Sequence, residues 1–173
     1  MSEKEKVDAF LSQQHIAVAG YSRDPKKFGA QVFDMLKTKG YQVYSVNPSG
    51  GTTPGGEPVY SSLSELPEHV TAALIVTKPE ISNKLIRQAA DEGLTHVWVQ
   101  QMSDNHKTME ILEGSQLNFV AKRCIFMHAN PTGFHKFHRW LVGLFGRLPK
   151  KTGAAKTAPA RLTDKEEELL KLS

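Results

Sequence analysis

Cysteine is almost missing: Cys124 stands alone in 173 residues. No intramolecular disulfide can form, so a buried core must supply the stability, and the chain is long enough to build one. No apolar run approaches the roughly 18 residues of a membrane-spanning helix, and none at the N-terminus has the form of an export signal, so a cytoplasmic location is expected. Dense Lys/Arg stripes and base-stacking motifs are also lacking. With a net charge of only +4 and 8% aromatic residues, the chain is a poor candidate for nucleic acid and a better one for an anionic small molecule. His135 and His138 stand one helical turn apart, with His128 upstream, but no carboxylate or second cysteine completes a ligand set there, so no metal is expected. Finally, there is no full G-x-G-x-x-G fingerprint: Ser22 stands where the second glycine belongs, and Arg23-Asp24-Pro25 lengthens the turn before Gly29.

What is present is a regular alternation of elements. Apolar positions Val7, Phe10 and Leu11 predict a helix over 3–14, and Phe28, Val32, Phe33 and Leu36 predict a second that stops at Lys39-Gly40. Further helices are expected over 80–92 and 105–113, each closed by a glycine. Strands are expected over 15–20, 41–46, 72–76, 96–101 and 119–126. The Gly/Pro/Thr-rich stretch 49–58 interrupts this order as a loop, followed by one helical turn over 62–66. Strands separated by helices imply an α/β fold, a doubly wound, mostly parallel five-stranded sheet with helices on both faces. This domain is expected to occupy 1–148. Its last segment, 131–148, carries an apolar face of Phe134, Phe137, Leu141, Leu144 and Phe145 suited to the core or to a homo-oligomer interface, with a membrane surface the least suited. The remainder, 149–173, reads as a linker and a short helix opened by the capping box Thr163-Asp164-Lys165-Glu166.

Ligands of such sheets bind beyond the carboxyl ends of the strands, where strand order reverses. The loop after the first strand is suited to an anion. Gly20 permits a sharp turn, Ser22 adds a hydroxyl, the helix from Phe28 offers N–H groups, and Arg23, Lys26 and Lys27 add positive charge. The second strand ends at Asn47-Pro48, where a dinucleotide site usually carries an acid for the ribose, and Pro48 holds Asn47 extended as a wall beside a purine. Gln100 and Gln101 bring amides to the same edge, and Pro79 suits a first helical position. Cys124, inside an apolar strand, reads as a packing residue, so no catalytic group is assigned.

Taken together, Gly20-Tyr21-Ser22-Arg23-Asp24-Pro25, Lys27-Phe28-Gly29, Val46-Asn47-Pro48, Gly55-Gly56-Glu57-Pro58-Val59-Tyr60, Thr77-Lys78-Pro79, Trp98-Val99-Gln100-Gln101 and Arg123-Cys124-Ile125 resemble the coenzyme A-binding Rossmann-type family. These are small proteins similar to the N-terminal domain of the succinyl-CoA synthetase alpha subunit. The resemblance implies that coenzyme A lies across the strand ends. Its ADP part would sit near Gly20 to Phe28 and Asn47-Pro48, and the remainder near Thr77, Lys78, Pro79, Gln100 and Gln101. Three departures matter. Tyr21 replaces a small residue; the loop Ser49-Gly50-Gly51 lacks the synthetase-like lysine, leaving phosphate to Arg23, Lys26, Lys27 or Lys78; and the synthetase's second domain has no counterpart, so ligase activity by this chain alone is not expected. The implied role is noncovalent binding of CoA or an acyl-CoA by a stand-alone, non-enzymatic domain acting as carrier, sensor or regulatory subunit. The rivals are an NAD(P)-dependent oxidoreductase placing Ser22 and Arg23 around a 2′-phosphate, and a protein-interaction module with a vestigial pocket.

Overall fold

The central strands are short because they are buried on both faces and need few residues to cross the core. In β1 (His15–Ala19), Ile16, Ala17, Val18 and Ala19 are wholly inaccessible, as is all of β4 (Ala72–Ile75). Such doubly buried strands belong to parallel sheets, whose crossover helices cover both faces. The computed structural model describes residues 1–129. Along them run α1 (Glu3–Leu11), β1, α2 (Phe28–Thr38), β2 (Gln42–Val46), β3 (Val59–Tyr60), a 3₁₀ turn (Leu63–Glu65), β4, α3 (Pro79–Asp91), β5 (His96–Gln100), α4 (His106–Glu113), β6 (Asn118–Arg123) and α5 (Ile125–Ala129). The sheet order is β3-β2-β1-β4-β5-β6, and every neighbouring pair is parallel. Strand order therefore reverses between β1 and β4.

The pleat sorts side chains to the two faces. Ala17, Ala19, Ala73, Ile75, Val97 and Val99 join Ile86, Ala89 and Leu112 of α3 and α4 in one core layer. On the other face Phe10 of α1 meets Trp98 edge-on at 5.4 Å, Trp98 meets His128 of α5 at 5.5 Å, and Phe28 of α2 meets Phe126 at 5.5 Å. The alanines of β1 and β4 matter here, because small residues on the central strands let helices approach closely.

Three differences from the sequence reading go beyond a residue at an element's end. The sheet has six strands rather than five, because Val59-Tyr60 pairs with Ser45-Val46 at the edge. Two residues inside a Gly/Pro-rich stretch carry no periodicity that could announce a strand. The last strand stops at Arg123 rather than 126, because Ile125 opens α5; Lys122, at φ 61°, lies within the strand at a bulge where its register on β5 shifts. Cys124 accordingly lies just past the strand, not within it, though it is buried as expected. The first helix ends at Leu11, three residues early, with Ser12 as its C-cap. The segment 131–148, the linker, the capping box at Thr163 and the domain boundary at 148 lie outside the described residues. No helix among the described residues is long and apolar enough to cross a membrane.

Candidate functional site at the carboxyl ends of the strands

Because all strands run the same way, their carboxyl ends share one edge, and the loops after β1 and β4 diverge there. Gly20, at φ +102°, turns the chain out of β1, and its N–H donates to the Val46 carbonyl at 3.1 Å. A Cβ on Gly20 would stand 2.9 Å from the Val76 oxygen and 2.8 Å from Thr77 Cγ2. A Cβ on Gly29 would stand only 2.1 Å from the Gly20 oxygen. The two glycines thus let the first turn of α2 rest directly on the β1 turn, and the β1 turn directly on the end of β4. The space that Gly20 leaves is filled by this neighbouring strand end, so its first role is packing that brings two loops to the crevice.

The helix starts carry the main electrostatic feature. α1 and α4 are closed by capping boxes, Ser2 with Glu5 and Asn105 with Thr108. In contrast, α2 and α3, which follow the two strands flanking the reversal, have Lys27 and Lys78 at their N-caps and no side-chain cap at all. Pro79 sits at the first turn of α3, as expected, and removes one orphan N–H. The remaining first-turn N–H groups carry the positive end of each helix dipole. Lys26, Lys27 and Lys78 are exposed, and none enters an ion pair among the described residues. The edge thus holds three lysines outside any ion pair, with Glu80 as the acid in the first turn of α3, and their charge suits phosphate.

Other expected contacts are committed to holding the loops. Arg23 Nε donates to the Thr52 carbonyl at 2.9 Å, and its terminal nitrogen donates to the Gly50 carbonyl. It ties the loop after β2 to the loop after β1 and enters no ion pair among the described residues. Asn47 uses both ends of its amide: Nδ2 donates to the Tyr21 carbonyl at 2.8 Å, and Oδ1 accepts from Ser49 N at 2.9 Å. Its neighbour Pro48 is exposed. Ser22 Oγ accepts from Asp24 N at 3.2 Å, shaping the turn. Tyr21 is buried and packs edge-on against Phe33 at 4.9 Å, and burial pushes its hydroxyl above the usual phenol range. Phe28 is buried beneath Phe126, so it supports the helix start from below.

Beyond the β1 turn the structure adds a cleft of about 440 Å³ lined by Tyr21, Ser22, Arg23, Phe33, Lys37 and Glu57, among others. Sequence reading missed Lys37 and Glu57. Their pairing across twenty positions is set by how the 49–58 loop folds back through the Thr52–Pro58 bridge. Hydrogen bonds from Lys37 and from Thr53 hold the Glu57 carboxyl below the usual carboxylate range.

At the end of β5, Gln100 is buried; its Oε1 accepts from Ile125 N at 3.1 Å, while its Nε2 is a buried donor without a partner among the described residues. An orphan donor at the strand-end edge is costly unless something accepts from it. Gln101 is exposed and points its backbone N–H to the Arg123 carbonyl. Across the crevice, Thr77 Oγ1 lies 2.9 Å from Ser82 Oγ inside the start of α3.

A parallel sheet in this order, with two uncapped, lysine-headed helices over its reversal point, defines a Rossmann-like nucleotide-binding domain. More particularly, a family model described as "CoA binding domain" matches residues 14–130, and the chain belongs to that family. It is 35% identical over 92 residues to the alpha subunit of an ADP-forming acetate–CoA ligase II of Pyrococcus furiosus. That match covers 53% of this chain but 20% of the relative, so the chain spans about a fifth of that subunit's length. Among solved structures, a conserved hypothetical protein of Pyrococcus furiosus is 28% identical with TM-score 0.63, covering 66% of this chain and 97% of that one. A Thermus thermophilus protein is 27% identical with TM-score 0.67, covering 76% and 98%.

Proposed function

We propose that the chain binds coenzyme A or an acyl-CoA noncovalently, as a stand-alone module that carries, senses or regulates rather than catalyses. The observation that carries this reading is the pair of uncapped N-termini of α2 and α3, headed by Lys27 and Lys78, at the two strands where the sheet order reverses. The donor set fits a ligand with several phosphates and amide carbonyls: lysine charge and helix N–H groups for the phosphates, and the unpaired Gln100 Nε2 for a carbonyl oxygen. Family membership favours CoA, the absence of a carboxylate at the end of β2 counts against NAD, and the commitment of Arg23 to the Thr52 and Gly50 carbonyls counts against a 2′-phosphate of NADP. Cys124 is buried, which supports packing rather than thiol chemistry.

The test is calorimetry of the full chain against CoA, acetyl-CoA, NADP and ATP. Gly20 makes a poor control position, since any side chain there collides with the end of β4. Lys78→Glu and the double change Lys26→Ala/Lys27→Ala keep the fold and remove charge at each helix start. CoA should bind in preference to NADP, and each variant should lose at least about tenfold, the worth of one charge-assisted contact. Equal affinities for NADP and CoA, or unchanged affinity in both variants, would sink the proposal.

A further inference from the structure

At the carboxyl end of β5 one buried side chain leaves half of its hydrogen-bonding capacity unused. Gln100 is 3% exposed; its Oε1 accepts from Ile125 N at 3.1 Å, and that contact fixes which way round the amide stands, so Nε2 is the end without a partner among the described residues. β5 lies two strands from β1, about 10 Å at the usual strand spacing, on the side of the reversal away from β2. Two exposed methionines stand two residues from the Gln100–Ile125 contact, Met102 after Gln100 and Met127 after Ile125. The Gln100 carbonyl accepts from Ser103 N at 2.8 Å, closing a turn in which Met102 takes φ 74°. Glycine is the residue such a position favours, so a methionine there is held against its backbone preference. In α5, Ile125 is buried, Phe126 packs on Phe28 at the start of α2 and His128 on Trp98, which leaves Met127 on the outer side. The Phe126–Phe28 contact joins the Gln100 end of the edge to the helix start assigned to phosphate.

The unused group is a donor, so it selects an acceptor. A carbonyl oxygen accepts well, whereas a thiol is a weak acceptor. In a secondary amide the carbonyl comes with an N–H, and the acceptor end of Gln100 is already taken by Ile125. A thioester carbonyl brings no N–H that would go unpaired at a buried position. Methionine is soft and unbranched and adapts to aliphatic chains. A single buried donor with exposed thioethers on both chain segments that meet there therefore matches an acyl thioester better than a free thiol or an amide.

We propose that Gln100 Nε2 donates to the thioester carbonyl of a short aliphatic acyl-CoA, with Met102 and Met127 covering the acyl chain, so that the module selects acyl-CoA over free CoA. This rests on the CoA reading above and adds the substrate class to it. Binding is noncovalent: the thioester stays intact, and no proton or electron moves.

Calorimetry of the full chain with CoA, butyryl-CoA and S-butyl-CoA, a thioether of the same alkyl length without the carbonyl, tests this. Butyryl-CoA should bind at least about tenfold tighter than CoA, from buried methylenes and the hydrogen bond together, and about fivefold tighter than S-butyl-CoA, the share of the hydrogen bond. Gln100→Met keeps the side chain's length, removes the donor, and should bind butyryl-CoA and S-butyl-CoA alike. Met102→Gly suits the left-handed turn, so it keeps the fold, and should lose most of the preference for butyryl-CoA over CoA. The comparison of ligands on the unaltered chain decides even if Gln100→Met fails to fold. Butyryl-CoA binding no tighter than CoA, S-butyl-CoA binding as tightly as butyryl-CoA, or preferences unchanged in the folded variants overturns this inference and leaves the CoA reading in place. No binding of any of the three ligands overturns both.

Discussion

Gly29 shows how one residue decides whether the site exists. In an ordinary helix Gly→Ala stabilises by roughly 1 kcal/mol, through lower backbone entropy in the unfolded chain. Here the added methyl would stand 2.1 Å from the Gly20 oxygen, a backbone atom that cannot rotate away. Steric cost of about 1–3 kcal/mol or more therefore wins, and Gly29→Ala should unfold at lower denaturant; an unchanged or higher midpoint would show that α2 does not rest on the β1 turn. Single residue types were otherwise uneven guides. Positive charge at Lys26, Lys27 and Lys78 was legible and lies free at the edge. The roles of Asn47 and Arg23 were not, because a sequence shows that an amide or guanidinium is near a loop but not that the Tyr21, Gly50 and Thr52 carbonyls lie within its reach. Gln100 divides the two readings physically: its oxygen accepts from the Ile125 N–H, and its nitrogen has no partner among the described residues.

Among the elements, α2 forgoes the stability of a side-chain cap at its start. Its N-cap Lys27 has extended backbone, φ -83° and ψ 146°, the geometry in which Asp would accept from the first-turn N–H groups. Lys27→Asp should therefore stabilise the protein by about 1 kcal/mol, through the cap and the helix dipole together. It should also weaken CoA binding at least about tenfold, because it replaces attraction with repulsion and occupies the N–H groups. Paired denaturation and calorimetry check this; higher stability with unchanged affinity would move the anion away from α2. The long elements were legible because burial imposes period on them: α2 and α3 are amphipathic and end at glycines, and β1, β4 and β5 are continuous apolar runs. The short ones were hidden. β3 gains its order from β2 rather than from its own two residues, and the bulge near the end of β6 carries a positive φ at Lys122 that lysine does not advertise.

For the whole molecule, the modest excess of positive charge, +4 overall, acts locally rather than as a general field. Contacts between exposed lysines and phosphates are screened over about 10 Å at 0.1 M salt. CoA affinity should therefore fall as salt rises, and fall less steeply in the Lys26→Ala/Lys27→Ala variant, which has fewer charges to screen. Ligand that binds only the folded chain adds RT ln(1 + [L]/Kd), about 2.7 kcal/mol at a hundredfold excess over Kd. For a chain of this length each kcal/mol moves the melting midpoint by roughly 2–4 °C, so saturating CoA should raise Tm by roughly 5–10 °C. NADP at the same concentration should raise it far less, since Arg23, the cation placed to meet a 2′-phosphate, is committed to the Thr52 and Gly50 carbonyls and the loop there is locked by Asn47. Thermal melts with both ligands at two salt concentrations separate the cases. A CoA shift that shrinks with salt ties binding to the lysine-headed helix starts, whereas a shift indifferent to salt would place the affinity in apolar contacts such as the cleft beside Tyr21 and Phe33.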